Sequence, residues 1–273
     1  MTLKSIETAL REAGVEDASF EARCLAAHFT GRSMASLLAS PADDLLSPGL
    51  EAALDRRVRR EPLQYILGTW EFMGLPFFVS PDCLIPRADT ETLVENALLH
   101  LPKNARAADL CTGSGCIGIS LAHFRPDVAV TAVELSEVAA RMAERNARAL
   151  GVADRFRVIR GDVTGAVFAP DETFDMIVSN PPYIACNEMS GLAPELSYEP
   201  RMALTDEGDG LSVIRGVLRT ARRHLTPEGV VLMEFGAAQG SAVSAIAEEY
   251  NLQGEILQDA GGRDRVLLAR RIS

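Results

Sequence analysis

Cysteine is scarce and unpatterned in this sequence. The five cysteines are Cys24, Cys83, Cys111, Cys116 and Cys186. They are scattered, odd in number and never spaced as C-x-x-C, which argues against a disulfide framework or a structural zinc site and for reduced thiols in the cytosol. Histidine is rarer still: His28, His100, His123 and His224 stand isolated and read as packing or surface residues. No metal is expected. There is no run of ~18 apolar residues such as a membrane helix needs. The first ten residues contain Glu7 and no long apolar run, so no signal peptide is visible. Positive charge is also short. Lys and Arg number 27 against 38 Asp and Glu, a net charge of −11, which counts against non-specific binding to nucleic-acid phosphates. A protein partner stays open. No internal repeat or low-complexity stretch stands out.

What is present suits a globular protein. Hydrophobic residues make up 47% of the 273 residues and charged residues 24%, enough apolar matter for a real core. At roughly 100–200 residues per domain, one large or two modest domains are expected. The pattern favours two. Residues 1–73 carry apolar residues at helical spacing over 5–13, 19–29, 33–38 and 49–60, with Gly14 a plausible stop and Ser33 a plausible cap. This reads as a small all-helical domain with no catalytic cluster. Residues 74–88 read as a β-hairpin linker, with strands at 75–79 and 83–85 around Ser80-Pro81-Asp82. A helix from Thr90, capped by Asp89, opens the domain 89–273. There, strands at 107–111, 128–134, 156–159, 174–179, 230–235 and 265–270 alternate with helices at 116–124, 137–150, 211–224 and 238–250. Such alternation implies an α/β fold with a mostly parallel sheet covered on both faces. The basic run Arg56, Arg57, Arg59 and Arg60 reads as helix-end charge, or else as an electrostatic contact to an acidic partner.

Two motifs carry chemistry. Asp109-Leu110-Cys111-Thr112-Gly113-Ser114-Gly115 leads from a strand through a glycine turn into a helix, and Gly113 to Gly118 spells G-x-G-x-x-G. That pattern is a cofactor cradle, and on its own a weak signal. Glu134 ends the next strand, where a carboxylate accepts from both ribose hydroxyls of a nucleotide cofactor. Asp162 follows the third strand, where it can accept from an adenine amino group with Val163 against the ring. The second motif decides more. Asn180-Pro181-Pro182-Tyr183 ends the fourth strand, beyond which ligands bind in open parallel sheets. Its prolines remove two donors and stiffen the loop. The Asn180 side-chain carbonyl and the Pro181 backbone carbonyl are left as fixed acceptors, beside the flat face of Tyr183. Two acceptors can hold both hydrogens of a planar amino group and aim its lone pair at an electrophile.

Asn-Pro-Pro-Tyr in this place resembles the methyltransferases that act on adenine, cytosine or glutamine amino groups. Other blocks narrow the resemblance: Glu61-Pro62-Leu63-Gln64-Tyr65-Ile66-Leu67-Gly68, Leu84-Ile85-Pro86-Arg87-Ala88-Asp89-Thr90-Glu91, Tyr198-Glu199-Pro200-Arg201-Met202-Ala203-Leu204 and Asp209-Gly210-Leu211. Together they resemble the bacterial peptide-chain-release-factor glutamine methyltransferases of the HemK/PrmC type over nearly the whole chain. That resemblance implies a class I methyltransferase sheet, Rossmann-like and seven-stranded, with a final antiparallel strand. It implies S-adenosylmethionine as cofactor, S-adenosylhomocysteine as product, and the glutamine of a Gly-Gly-Gln tripeptide in class 1 release factors as substrate. It also implies a monomer in the cytoplasm. By the same carry-over, Cys111, Thr112, Gly113, Ser114 and Gly115 line the methionine part of the cofactor. Glu134 holds the ribose, and Asp162 and Val163 border the adenine. Asn180, Pro181, Pro182 and Tyr183 hold the glutamine amide, and Asn180 is also a cofactor contact. Cys111 stands where the family commonly has Gly, Glu134 where it often has Asp, Val163 where some members carry an aromatic, and Ala88 where Pro is frequent. The alternatives are a ribosomal-protein glutamine methyltransferase, a DNA adenine methyltransferase and, from another class, a nucleotide-binding module or dehydrogenase, which leaves Asn-Pro-Pro-Tyr unexplained. The Gln-Tyr-Ile-Leu-Gly junction argues against the first, and the acidic charge against the second.

Overall fold

A computed structural model describes residues 1–272. They form two compact units, one of Met1–Thr69 with Ala193–Tyr198 and one of Trp70–Leu192 with the residues from Glu199 onward. The first unit contains α1 (Leu3–Glu12), α2 (Ala18–Thr30), α3 (Met34–Ala39), α4 (Leu50–Val58) and α5 (Leu63–Leu67). Its starts are local chemistry. Thr2 and Ser5 make a capping box at α1, and Ser33 accepts from the Ser36 amide at α3. Ile6, Leu10, Ala22, Leu25 and Ala26 form its buried stripe.

The basic run at the end of α4 and just beyond it is mostly committed within this unit. Arg57, 4% exposed, pairs with Glu21 at 2.5 Å and with Glu195 at 2.9 Å. Arg60 pairs with Glu195 at 2.7 Å, and Arg56 with Glu61 at 2.5 Å. These three arginines are therefore tied to carboxylates within the unit. The segment 193–198 earns its place in the unit through Glu195 and through Tyr198, whose hydroxyl donates to the Arg59 carbonyl at 2.8 Å.

A hairpin follows, β1 (Thr69–Phe72) and β2 (Leu75–Phe78). It turns at Met73-Gly74 rather than at Ser80-Pro81-Asp82, and residues 83–85 form no strand. Phe72 and Phe77 are the reason: both are fully buried, edge to face at 6.1 Å, so the apolar pairing runs across the earlier turn.

The second unit continues with α6 (Ala88–His100), β3 (Arg106–Leu110), α7 (Cys116–Phe124), β4 (Ala129–Glu134), α8 (Glu137–Ala149), β5 (Phe156–Arg160) and β6 (Phe174–Ser179). After three short 3-10 turns come α9 (Ser212–His224), β7 (Leu225–Glu234), α10 (Gly240–Glu249), β8 (Leu252–Gln258) and β9 (Asp264–Arg271). Asp89 lies inside the first turn of α6 and does not cap it; its carboxylate pairs instead with Arg263 and Arg265. The seven strands run in the order β5-β4-β3-β6-β7-β9-β8. All pairings are parallel except those of β9 with β7 and β8.

Alternation with period two sends each strand's residues to two cores. Ala107, Val130, Ala132, Met176, Val178 and Leu232 meet Leu93 of α6, Ile117 of α7 and Ala143 of α8. Ala108, Leu110, Val133, Ile177, Val231 and Met233 meet Ile214 and Val217 of α9 and Val243 of α10. Strand β8 escapes sequence reading because it is a mostly exposed edge with Gly254 in it. That glycine is required: a Cβ there would sit 1.9 Å from the Leu268 carbonyl oxygen of β9.

Candidate active site

From β3 the chain passes through α7 to β4 on one side, and from the adjacent β6 through α9 to β7 on the other, so the connections diverge between the carboxyl ends of β3 and β6. A crevice opens at such a switch point. The register puts three functional positions there at one level. Leu110 pairs with Val133 on one side and Ser179 on the other, so Cys111, Glu134 and Asn180 emerge together. A cavity of about 580 Å³ lies beyond them. Its walls include Cys111, Thr112, Gly113, Ser114, Glu134, Asp162, Val163, Asn180 and Pro182. Gly115, Pro181 and Tyr183 stand behind the wall rather than in it.

Glu134 is 8% exposed and is held by backbone. One carboxylate oxygen accepts the Gly113 amide and the other the Ser136 amide, each at 2.8 Å. Each oxygen keeps a further lone pair for a donor in the cavity. Asp162 uses one oxygen for the amide and hydroxyl of Thr164, at 2.8 and 2.7 Å, which leaves the other for a ligand. The glycine loop is tied from below. Asp109, completely buried, accepts from the Thr112 hydroxyl at 2.5 Å and the Gly118 amide at 3.0 Å. Burial pushes its carboxyl up to about 7, against the pull of those two donors.

Asn146 of α8 supports the same loop, and nothing in the sequence marked it. It is fully buried, takes the Phe78 amide at 2.8 Å, and donates to the Phe78 and Ser114 carbonyls at 3.1 and 2.8 Å. The hairpin and the glycine loop are thus fastened to one side chain.

At the second motif, Ser179 anchors the strand end by donating its hydroxyl to the Leu110 carbonyl at 2.7 Å. Asn180 donates from Nδ2 to the Thr90 hydroxyl at 3.2 Å, which leaves Oδ1 to accept. Tyr183 does not offer its ring to the cavity. Its hydroxyl donates to Glu234 Oε1 at 3.1 Å, and its carbonyl accepts from Gln239 at 2.9 Å. Burial and the neighbouring Glu234 push the phenol well above its ordinary value. The thiols in the wall are also held protonated: burial pushes Cys83 up to about 11 and Cys111 and Cys116 higher still. None is a nucleophile at neutral pH.

The opposite wall joins two of the sequence blocks. Glu199, buried, accepts from the Ile85 amide at 3.0 Å and from the Arg87 guanidinium. Arg87 therefore both lines the cavity and makes an ion pair.

Comparison with known proteins agrees with this geometry. The family model described as "Methyltransferase small domain" matches residues 88–224, and the one described as "PrmC N-terminal domain" matches residues 2–68. A methyltransferase structure from Pyrococcus furiosus shares the fold with a TM-score of 0.56 at 19% identity, covering 79% of this chain and 97% of that one. A "Release factor glutamine methyltransferase" of Cereibacter sphaeroides is 42% identical, covering 98% of this chain and 96% of the relative. The protein of the same name from Bordetella pertussis is 45% identical, covering 85% of this chain and 87% of the relative. With a methyltransferase sheet, a glycine loop facing an acid, and near full-length identity of this order, the chain belongs to the release factor glutamine methyltransferase family.

Proposed function

We propose that this enzyme methylates the side-chain amide nitrogen of the glutamine in the Gly-Gly-Gln loop of class 1 release factors, using S-adenosylmethionine in the cavity at the end of β3. The observation that carries the reading is the placement of Glu134 and Asn180 at one level on either side of that strand's end. The donor set fits the cofactor. A carboxylate whose two oxygens are each fixed by a backbone amide is built to accept from two adjacent hydroxyls, as a ribose presents. The free oxygen of Asp162 suits an exocyclic amino group, with Val163 beside it. Cys111, Thr112, Gly113 and Ser114 offer a narrow wall to the amino-acid part. When bound, S-adenosylmethionine supplies an electrophilic methyl group on a sulfonium.

This chain's own work is to hold the nucleophile. An amide nitrogen is a poor nucleophile because its lone pair is delocalised. Asn180, in the cavity wall, accepts one of its hydrogens at Oδ1. The adjacent Pro181 carbonyl, set back from that wall, is the second acceptor in this reading, and the two favour the positive charge that grows on nitrogen and aim it. No strong general base is needed, since the proton leaves after transfer. The names of the relatives support the substrate. The reading carries with it the cytoplasm as site of action and a monomeric enzyme.

The test is transfer of label from tritiated S-adenosylmethionine to a purified release factor and to the same factor with its tripeptide Gln changed to Ala. Label in the first alone is expected. Asn180→Ala enzyme should be slower by on the order of 100-fold, the usual cost of losing one transition-state hydrogen bond. Label in neither factor, or equal label in both, would overturn the substrate.

A further inference from the structure

Strand β7 ends beside the Asn-Pro-Pro-Tyr loop. Ser179 pairs with Met233, so Asn180 and Glu234 leave the sheet as neighbours. Glu234 is 1% exposed. Its Oε2 accepts from the Thr90 hydroxyl at 2.6 Å, and its Oε1 accepts from the Tyr183 hydroxyl at 3.1 Å. Thr90, 2% exposed, in turn accepts from Asn180 Nδ2 at 3.2 Å.

We infer that Thr90 and Glu234 are positioning residues for methyl transfer: they fix which end of the Asn180 amide faces the reacting nitrogen, and they fasten the loop at both its ends. The inference rests on the reading of Asn180 as holder of the substrate amide. It follows from the directions of the bonds. Glu234 accepts from two hydroxyls, and Thr90 spends its single proton on it. The Thr90 oxygen can then only accept from Asn180, which turns Nδ2 inward and Oδ1 outward. The two ends of a primary amide have nearly the same shape, so packing alone does not choose between them. Turned the other way, Asn180 would present N–H groups to a substrate amide whose own N–H groups need acceptors. A buried carboxylate is a costly way to support a loop, and apolar residues of similar volume often serve stability as well. Its use here is understandable as a direction-setting device. Tyr183 completes it by tying the far end of the loop to the same carboxylate.

Thr90→Val keeps the shape of the side chain and removes its hydroxyl. Thr90→Ser keeps the hydroxyl. Both are to be compared with Glu234→Gln and Asn180→Ala for kcat, for KM toward release factor, and for cofactor affinity by calorimetry. Expected is a fall in kcat of about 10- to 100-fold for Thr90→Val, as for other small misplacements of reacting groups, with cofactor affinity within about 2-fold and kcat largely recovered in Thr90→Ser. Glu234→Gln, whose new NH₂ donates where a carboxylate accepted, should lose kcat likewise. If Asn180→Ala is impaired while Thr90→Val turns over like wild type, the positioning role is wrong and the site stands. If Thr90→Ser falls as far as Thr90→Val, packing and not the hydroxyl matters, and the role is again wrong. If Asn180→Ala itself is unimpaired, the reading of the site fails. Should Glu234→Gln not fold, the Thr90 pair still decides.

Discussion

At position 111 the chain turns out of β3 with a φ of 60°, in the left-handed region that favours glycine. Cys111 stands where the resembled family commonly has Gly, and the backbone shows that it shares the turn with Gly113 and Gly115. A side chain in that conformation costs roughly 1–2 kcal/mol, against roughly 0.5–1 kcal/mol of chain entropy that a glycine adds. Cys111→Gly should therefore unfold in urea at a midpoint no lower than wild type. Cys111→Val, β-branched and still less at ease with positive φ, should unfold earlier. The reverse order would show that thiol packing outweighs the backbone. The candidate residues that face the cavity were legible because each follows a strand whose end the sequence marks. Thr90 and Glu234 were not. In the sequence Thr90 only starts a helix within a family block and Glu234 is an interior position of a strand, because their meaning lies in hydrogen bonds that join α6 to β7 and to the loop after β6.

Among elements, those with strong periodicity were readable almost to the residue. Strand β6 and helix α7 were placed at their observed bounds, since each is a compact apolar run closed by a polar or glycine boundary. Elements that depend on partners were not. Strand β8 has few buried residues, and α5 is only five residues long and packed by its surroundings. The hairpin was placed one turn too late because Leu75–Val79 and Cys83–Ile85 are both apolar, and only the Phe72–Phe77 contact selects the pairing. Asn146 links that hairpin to helix α8 and the glycine loop. Asn146→Leu fills the same space but leaves the Phe78 amide and two carbonyls without their partner. At about 1–3 kcal/mol for a buried group left unsatisfied, the variant should lose at least about 2 kcal/mol in urea unfolding and bind cofactor more weakly. A loss under about 0.5 kcal/mol would mean that the loop is held by other contacts.

For the molecule as a whole, the buried carboxyls set a pH dependence opposite to the common one. Asp109 is raised from 3.8 to about 7 by burial, and Glu234 is raised as well. The fold binds their protons more tightly than the unfolded chain does. The contribution of Asp109 is thus fully present below pH ~4 and is lost as pH rises through ~7; burial shifts Glu234 in the same direction. Asp206 and Glu195, lowered by backbone amides and by Arg60 respectively in spite of partial burial, lose their contribution only as pH falls below the ordinary carboxylate range, outside that window. Melting temperature should therefore decline between pH 5 and pH 8, and Asp109→Asn, which cannot ionise, should decline less. Parallel profiles for the two proteins would show that Asp109 does not titrate in this range.

The position of β9 between β7 and β8 has a consequence for how the chain is made. Strand β7, which ends in Glu234, is covered on one side by β6, but its other edge stays open until residues 264–271 exist to pair with it. Translation proceeds at about 5–20 residues per second, so a nascent chain carries that bare edge for on the order of seconds. Open strand edges are templates for pairing with other chains. Biosynthesis thus leaves this edge bare until β9 emerges, and a chain released before that point would expose the strand beside the Asn-Pro-Pro-Tyr loop.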